Sequence, residues 1–192
     1  MVPFVLGLHG SPRRGANSDS LLARALAGAA SQGRETRVLH VADLTIDACH
    51  NCGGCRRTGE CVFRDDMQQV YPLLEQAAAI VVASPIFFMG LPAQLKAVVD
   101  RCQPFWARRY LLHQPLSAAV GRRPGLFLAT AALNLPHVFE GARWTVQSFF
   151  HVLDVDYAGE LLVPGIEKQG GVADRPGILE QAFALGQRLF DR

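Results

Sequence analysis

Residues 4–18 read FVLGLHGSPRRGANS, an apolar run followed by a loop of small, polar and basic residues. The continuous apolar run at 4–9 is typical of a strand buried on both faces of a parallel sheet. The residues that follow show apolar side chains at helical spacing from 18 to 30. This stretch therefore predicts a buried strand that leads through a short loop into a helix.

The same alternation of strand and helix continues along the chain. Further strands are predicted at 36–41, 80–84, 126–130 and 157–163. Helices are predicted at 18–30, 66–76, 91–103, 138–151 and 176–192. This pattern predicts a three-layer α/β fold with a parallel sheet and right-handed crossovers. Five strands favour the flavodoxin-like order 2-1-3-4-5, with a cysteine-rich insertion after strand 2.

The length and composition of the chain exclude several classes of protein. A chain of 192 residues fits one domain, predicted to span 1–192, and 49% apolar residues argue against disorder. The net charge is +2 and the basic residues are spread along the chain, so neither a nucleic-acid nor a membrane partner is expected. We see no signal peptide or membrane-spanning run, and we expect a cytoplasmic protein with reduced thiols.

The loop at residues 10–18 lies where parallel α/β sheets bind ligands, at the switch point between strands one and three. Its glycine spacing matches neither a Walker A loop nor a dinucleotide fingerprint. Its Ser and Asn side chains, with the N–H groups at a helix start, can hold a phosphate, and Arg13 can add a bidentate contact. The alternative is an ordinary turn in which Asn17 or Ser18 is the helix N-cap.

The loop after strand three, residues 84–92, reads SPIFFMGLP. Exposing two phenylalanines and a methionine at a strand end has little structural benefit unless a flat ligand covers them. An isoalloxazine ring is such a ligand, and backbone N–H groups can serve its polar edge. The alternative is a buried corner in which Phe87 and Phe88 pack into the core.

Three stretches together resemble the NAD(P)H-dependent FMN reductase superfamily, and most of all its iron–sulfur flavoprotein branch. They are residues 10–18, the cysteines between 49 and 61, and SPIFFMGLPAQLKAVVDR at 84–101, and the resemblance runs from residue 4 to about 110. It implies that FMN is the cofactor and that its phosphate is held by Ser11, Arg13, Asn17 and Ser18. It implies ring contacts from Pro85, Ile86, Phe87 and Phe88, and a weaker third contact from Thr130 and Ala131. Departures from the branch pattern at Phe88, Met89 and Leu91 leave the backbone contacts unchanged.

The insertion at 47–64 carries four cysteines with the spacing C-x₂-C-x₂-C-x₅-C, namely Cys49, Cys52, Cys55 and Cys61. This spacing suits a compact loop around a [4Fe–4S] cluster, which the resemblance also implies. Three alternatives remain open at this point. The loop could hold structural zinc, with His50 as an alternative ligand, or form a C-x₂-C redox disulfide, or carry no metal.

The expected function is that of an FMN-dependent oxidoreductase or electron-transfer flavoprotein. Electrons would pass between FMN and a [4Fe–4S] cluster, or from NAD(P)H to an acceptor, with a small molecule or a redox protein as donor. Because such chemistry resides in the cofactor, no catalytic acid or base is required, and we predict none. The alternative is a non-catalytic flavodoxin-like binding module with a zinc-stapled loop.

A long connection is predicted at 104–123, and its first part, PFWARRY at 104–110, combines aromatic residues with arginines. These residue types are enriched at interface cores. We therefore predict a homo-oligomer, a dimer or tetramer, in which this segment reaches a neighbouring chain near its flavin. The alternative is a flap packed on its own domain.

Other conspicuous residues are predicted to have structural roles. Asp65 and Asp66 would cap the second helix, and Cys102 would lie in the core or at an interface. Asp100 and Arg101 would form a local charge pair. The histidines outside the cysteine insertion show no ligand spacing and are predicted to be structural.

Overall fold

The computed structural model describes residues 3–114, 116, 123–168 and 171–191. Within these residues five strands form one sheet: β1 Phe4–His9, β2 Glu35–His40, β3 Ala79–Pro85, β4 Arg123–Thr130 and β5 Val155–Val163. The strand order is β2-β1-β3-β4-β5 and every neighbouring pair is parallel. The predicted flavodoxin-like fold and strand order are confirmed.

Helices connect the strands. They are α1 Asn17–Ser31, α2 Cys55–Thr58, α3 Met67–Gln76, α4 Ala93–Asp100, α5 Gln103–Tyr110, α6 Glu140–Val152 and α7 Pro176–Gln187. A 3₁₀ turn at Val41–Asp43 follows β2 and precedes the cysteine insertion. None of the helices in the described ranges is long and apolar enough to cross a bilayer.

The two faces of the sheet are covered by different helices. Alternate residues of a strand point to opposite faces, so Val5 packs with α1 and α7, whereas Leu6 and Leu8 pack with helices of the other layer. The central strands are buried on both faces, as their continuous apolar runs predict. The edge strand β2 is partly exposed, and its Val38 side chain is open to solvent.

Two glycines allow α1 and α7 to pack closely. A Cβ atom on Gly186 would lie 1.8 Å from the carbonyl oxygen of Ala25, and one on Gly28 would lie 2.1 Å from that of Phe183. These obstacles are backbone atoms, which cannot move without separating the helices. The layer that supports the loop after β1 therefore depends on small residues at this crossing.

The predicted helix at 91–103 and the predicted loop at 104–123 are both wrong in part. The chain leaves α4 after Asp100, turns, and begins α5 at Gln103. Pro104 explains the break, because proline cannot donate to a preceding helical turn but is favoured in the first turn of a new helix. Residues 115 and 117–122 of the predicted connection lie outside the described residues.

Candidate functional site

Three loops lie side by side at the carboxyl edge of the sheet. The Gly10 N–H donates to the carbonyl of Ala83 at 2.8 Å, which ties the loop after β1 to the end of β3. The Ile86 N–H donates to the carbonyl of Thr130 at 2.9 Å, which ties the loop after β3 to the end of β4. The sequence predicts a ligand site at this edge, and the loops proposed to form it are adjacent.

The loop after β1 presents hydroxyl groups at the start of α1. Ser11 is buried, and its Oγ accepts a hydrogen bond from the Arg13 N–H at 3.1 Å. Ser18 is also buried, and its Oγ has no hydrogen-bond partner within the described residues. A buried hydroxyl without a partner costs free energy unless a ligand satisfies it. The helix start also favours an anion there, so a phosphate fits this loop.

Arg13 and Asn17 occupy different surroundings in this loop. Arg13 is exposed, and a bound phosphate could order it. The Asn17 side chain donates to the Lys168 carbonyl at 2.9 Å and accepts from the Val172 N–H at 3.2 Å. Asn17 therefore fastens the loop after β5 against the start of α1. Its backbone N–H, in the first helical turn, has no intrahelical acceptor.

The alternative of Asn17 or Ser18 as a helix N-cap is wrong, because α1 begins at Asn17 and its N-cap is Ala16. Asp19 caps the turn instead, since its Oδ2 accepts a hydrogen bond from the Gly15 N–H at 2.8 Å. This bond folds the loop back onto the helix start.

The loop after β3 exposes an apolar turn. Pro85 and Ile86 are half-buried, and Phe87 is 44% exposed, while Phe88 is fully exposed. The N–H groups of Phe87 and Gly90 each donate to the other residue's carbonyl, and Phe88 lies at φ 48°. This left-handed conformation is costly for a bulky residue and is often found at ligand sites. The buried-corner alternative for Phe87 and Phe88 is therefore wrong.

The loop after β4 is the third loop at the carboxyl edge of the sheet. Thr130 and Ala131 are buried, and the Ala131 N–H donates to the Val163 carbonyl at 3.0 Å. The exposed apolar residues of this loop are Leu133 and Leu135, which the sequence analysis missed. In the sequence, the two leucines flank a polar residue in the stretch LNLP at 133–136, and this pattern could have identified them as exposed loop residues. They are further exposed apolar side chains of a loop that follows the carboxyl end of a central strand.

A pair of histidines, one buried and one half-buried, also lies beside the loop after β1. The His9 Nδ1 is 3.1 Å from the His40 Nδ1, so one ring donates and the other accepts. The His9 Nε2 is buried without a hydrogen-bond partner within the described residues and lies 3.7 Å from the Asp19 carboxylate. Burial lowers the pKa of His9, although the Asp19 charge opposes the effect. The position of His9 directly before the loop was the signal for this cluster.

The lowered pKa of His9 predicts a loss of stability in acid. A base with a lowered folded-state pKa binds a proton more readily after unfolding, so stability falls as the pH drops below the ordinary value of 6.5. We expect the free energy of unfolding to decline less steeply with acid in His9→Asn than in the parent, measured by urea denaturation. His113→Asn, at an exposed histidine, should follow the parent. Equal slopes for the parent and His9→Asn would contradict this explanation.

The four motif cysteines line a single cavity. Cys49, Cys52, Cys55 and Cys61 surround a cavity of about 210 Å³, together with Arg101 and Trp106. All five cysteines of the chain are free thiols, and Cys102 lies apart in the core, as predicted. Among the described residues, no three His, Cys, Asp or Glu side chains are grouped tightly enough to hold a metal ion. The shared cavity nevertheless suits an iron–sulfur cluster, whose ligands are thiolates from one compact loop.

The thiols influence one another inside this cavity. Burial raises the pKa of Cys55, and the other three thiols of the motif raise it further. Burial and the neighbouring Cys61 also raise the pKa of Tyr71. Thiols that share one cavity repel one another when they are ionised, and a bound cation or cluster would relieve that repulsion.

The cysteine segment, residues 47–65, is held from two helices. Arg108 on α5 donates from Nε to the Gly59 carbonyl at 3.0 Å and from a terminal nitrogen to Glu75 at 3.1 Å. The one-turn helix α2 ends at Gly59, whose φ of 72° favours glycine. A side chain at this position would in addition clash with Arg108. The Arg101 guanidinium holds the segment from the end of α4.

The predicted local pair between Asp100 and Arg101 is wrong. Asp100 pairs with Lys96 one turn earlier on α4, whereas Arg101 turns inward and pairs with Asp65. Asp65 also accepts the Met67 N–H at 3.1 Å at the start of α3, as its predicted capping role requires. The capping role predicted for Asp66 is wrong, because its carboxylate accepts the Thr45 N–H at 2.7 Å and makes no bond to the helix start. Burial alone would raise the pKa of Asp65, but its hydrogen bonds with Arg101 hold it below the ordinary range.

Comparison with known proteins identifies the relatives of this chain. A model of the NADPH-dependent FMN reductase family matches residues 3–152, well over half of the chain. The chain belongs to the NADPH-dependent FMN reductase family. This membership agrees with the buried hydroxyls at the start of α1 and with the exposed apolar turn after β3, and it makes the chain an FMN-dependent oxidoreductase.

Sequence relatives place the chain in the iron–sulfur flavoprotein branch of the FMN reductase family. An iron–sulfur flavoprotein from Archaeoglobus fulgidus is 32% identical over 185 residues, which are 96% of this chain and 77% of that protein. An iron–sulfur flavoprotein from Methanosarcina thermophila is 34% identical over 116 residues, which are 60% of this chain and 61% of that protein. The branch suggested by the sequence motifs is confirmed.

Solved structures of low sequence identity share the fold. The NAD(P)H:quinone oxidoreductase from Methanothermobacter marburgensis has a TM-score of 0.73 at 15% identity, covering 100% of this chain and 98% of that one. An azoreductase from Bacillus anthracis has a TM-score of 0.72 at 16% identity, covering 97% of this chain and 100% of that one. At such identities the likeness establishes the fold alone.

Proposed function

We propose that this FMN reductase family member transfers electrons between FMN at the carboxyl edge of the sheet and a [4Fe–4S] cluster bound by its cysteine segment. The observation that carries the proposal is that all four motif cysteines are free thiols lining one cavity. The relatives named as iron–sulfur flavoproteins support it. NAD(P)H or a reduced redox protein would serve as the electron donor.

The proposed flavin residues bind and shield the cofactor. Ser11, Ser18 and the N–H groups at the start of α1 would hold the FMN phosphate, with Arg13 closing over it. Phe87 and Phe88 would cover the isoalloxazine ring, with backbone groups of Pro85, Ile86, Thr130 and Ala131 at its border. Bound FMN supplies the redox chemistry itself, since it exchanges hydride with nicotinamides and single electrons with iron–sulfur centres.

The cysteine segment and the proposed flavin loops are separated along α4. The loop after β3, which is proposed to border the flavin ring, ends where α4 begins. Arg101, which contacts the cysteine segment, follows the last residue of α4. The proposed flavin site and the cysteine segment therefore lie at opposite ends of this helix. An eight-residue helix is about 12 Å long. We propose a homo-oligomer, a dimer or tetramer, in which the cysteine segment and α5 approach the flavin of a neighbouring chain.

The outward face of α5 is the proposed contact surface. Phe105 is buried in its own core, whereas Tyr110 is 40% exposed and Trp106 is partly exposed. Trp106 and Tyr110 line an open groove with His151 of α6, and the Tyr110 hydroxyl lies 2.8 Å from the His151 Nε2. The aromatic segment therefore packs on its own domain in part and leaves one apolar face for a partner.

We expect the purified protein to be oligomeric by light scattering at micromolar concentration. Trp106→Glu should shift the mass towards the monomer, because it places a charge in an apolar contact. Val38→Glu changes an exposed apolar residue on the edge strand and should leave the mass unchanged. A monomeric parent protein would contradict the proposed assembly.

The function is tested by the cofactors of anaerobically purified protein and by its donors. We expect FMN, iron and acid-labile sulfide, and bleaching of the flavin absorption by NADPH, NADH or reduced ferredoxin supplied separately. The donor that reduces the protein fastest defines the route of the electrons. A colourless protein that contains zinc would instead support the binding module with a zinc-stapled loop.

A further inference from the structure

Arg101 is a buried cation that contacts both ends of the cysteine segment. Its side chain is 1% exposed, although arginine is almost never fully buried without a partner. The two terminal nitrogens donate to the Asp65 carboxylate at 2.5 and 3.0 Å. One of them also donates to the Asp47 carbonyl at 2.8 Å. Residues 47 and 65 are the first and last of the segment, so one guanidinium joins its two ends.

Arg101 also lines the cysteine cavity. Its guanidinium carbon lies 5.4 Å from the ring centre of Phe63, which is within the segment. Its backbone carbonyl accepts a hydrogen bond from the Tyr71 hydroxyl at 2.9 Å, which anchors it to α3. Arg101 is therefore fixed by α3 and α4 and contacts the segment at its beginning, near its end and along the cavity wall.

Arginine has a specific advantage over an apolar residue at this position. A buried ion pair is costly to desolvate, so packing alone would favour an apolar side chain here. The planar guanidinium reaches both oxygens of the Asp65 carboxylate from two separate nitrogens and still donates to the Asp47 carbonyl, whereas lysine would have to make all these bonds from one nitrogen. Lysine would keep the charge but lose this fork.

We propose that Arg101, paired with Asp65, is a positioning residue that closes the cysteine segment and holds the four thiols at their cavity before a metal centre binds. The identity of that centre rests on the function proposed above, whereas the closure of the segment does not. Trypsin can report whether the segment is closed, because it cleaves after arginine and the segment contains two exposed arginines, Arg56 and Arg57 on α2.

The test is limited trypsin digestion of the full chain carrying FMN but freed of iron with a chelator. Arg101→Lys and Asp65→Asn should each speed cleavage after Arg56 and Arg57 about tenfold, as expected for loss of hydrogen bonds to a charged group. Arg143→Lys is the matched control. It changes an α6 arginine that binds the Glu160 carboxylate with two hydrogen bonds away from the segment, and it should digest at the parental rate.

Anaerobic reconstitution with iron and sulfide gives the second readout. Both variants should take up less than half of the iron that the parent takes up, with unchanged affinity for FMN. Parental cleavage rates in both variants would overturn the proposal. Faster cleavage throughout the chain would also overturn it, because Arg101 would then support the whole fold. If the parent takes up no iron but the variants are still cleaved faster, the proposed cluster is contradicted and the proposed closure of the segment by Arg101 is still supported.

Discussion

Replacing any one of the four motif cysteines with alanine is expected to remove the iron from anaerobically purified protein. Iron and acid-labile sulfide should fall to about a tenth of the parental content or less in Cys49→Ala, Cys52→Ala, Cys55→Ala and Cys61→Ala, because a cluster in this loop needs all four thiolates. The broad visible absorption beneath the flavin bands should disappear with the iron. FMN should remain bound, since its proposed site lies on other loops.

Cys102→Ala is the matched control for these four variants. Cys102 is buried between α4 and α5, where its thiol donates to the Val98 carbonyl at 3.3 Å, and it does not line the cysteine cavity. Its removal should lower the free energy of unfolding by about 1 kcal/mol and leave the iron content unchanged. Zinc in the parent protein, or iron that survives Cys61→Ala, would contradict the assignment of the cluster.

Ser18→Ala is expected to have opposite effects on FMN affinity and on the stability of the FMN-free protein. The Ser18 hydroxyl is buried without a partner in the described part of the chain, so its removal should leave the FMN-free protein equally stable or more stable. If the hydroxyl binds the FMN phosphate, its loss should weaken FMN binding about 10- to 100-fold. Fluorescence titration with FMN and urea denaturation measure the two effects.

Ser20→Ala is the control for Ser18→Ala, because Ser20 lies two residues further along α1 and is partly exposed. Its FMN affinity should equal that of the parent. Arg13→Ala should also weaken FMN binding, since the exposed guanidinium is proposed to close over the phosphate. If Ser18→Ala binds FMN as tightly as the parent, the phosphate does not lie at the start of α1.

Asn17 shows that a sequence motif does not assign the contacts of its residues. The resemblance places Asn17 with the phosphate ligands, yet its amide group bonds to Lys168 and Val172, more than 150 residues away. Those partners come from the loop after β5, which reaches α1 only in the folded chain. Asn17→Ala would therefore loosen that loop as well as the phosphate cradle, and Ser18→Ala is the cleaner test.

The sequence by itself determined the strand order, the adjacency of the loops after β1 and β3, and the spacing of the four cysteines. These features follow from local patterns: apolar runs mark buried strands, and alternation with helices makes the sheet parallel. The tertiary structure alone decided the partners of buried charged and polar groups. Arg101 forms its ion pair with Asp65 and not with its neighbour Asp100, and His9 forms a hydrogen bond with His40. Such pairs join residues 31 or 36 positions apart, because a buried polar group must take whichever partner the packing brings within reach.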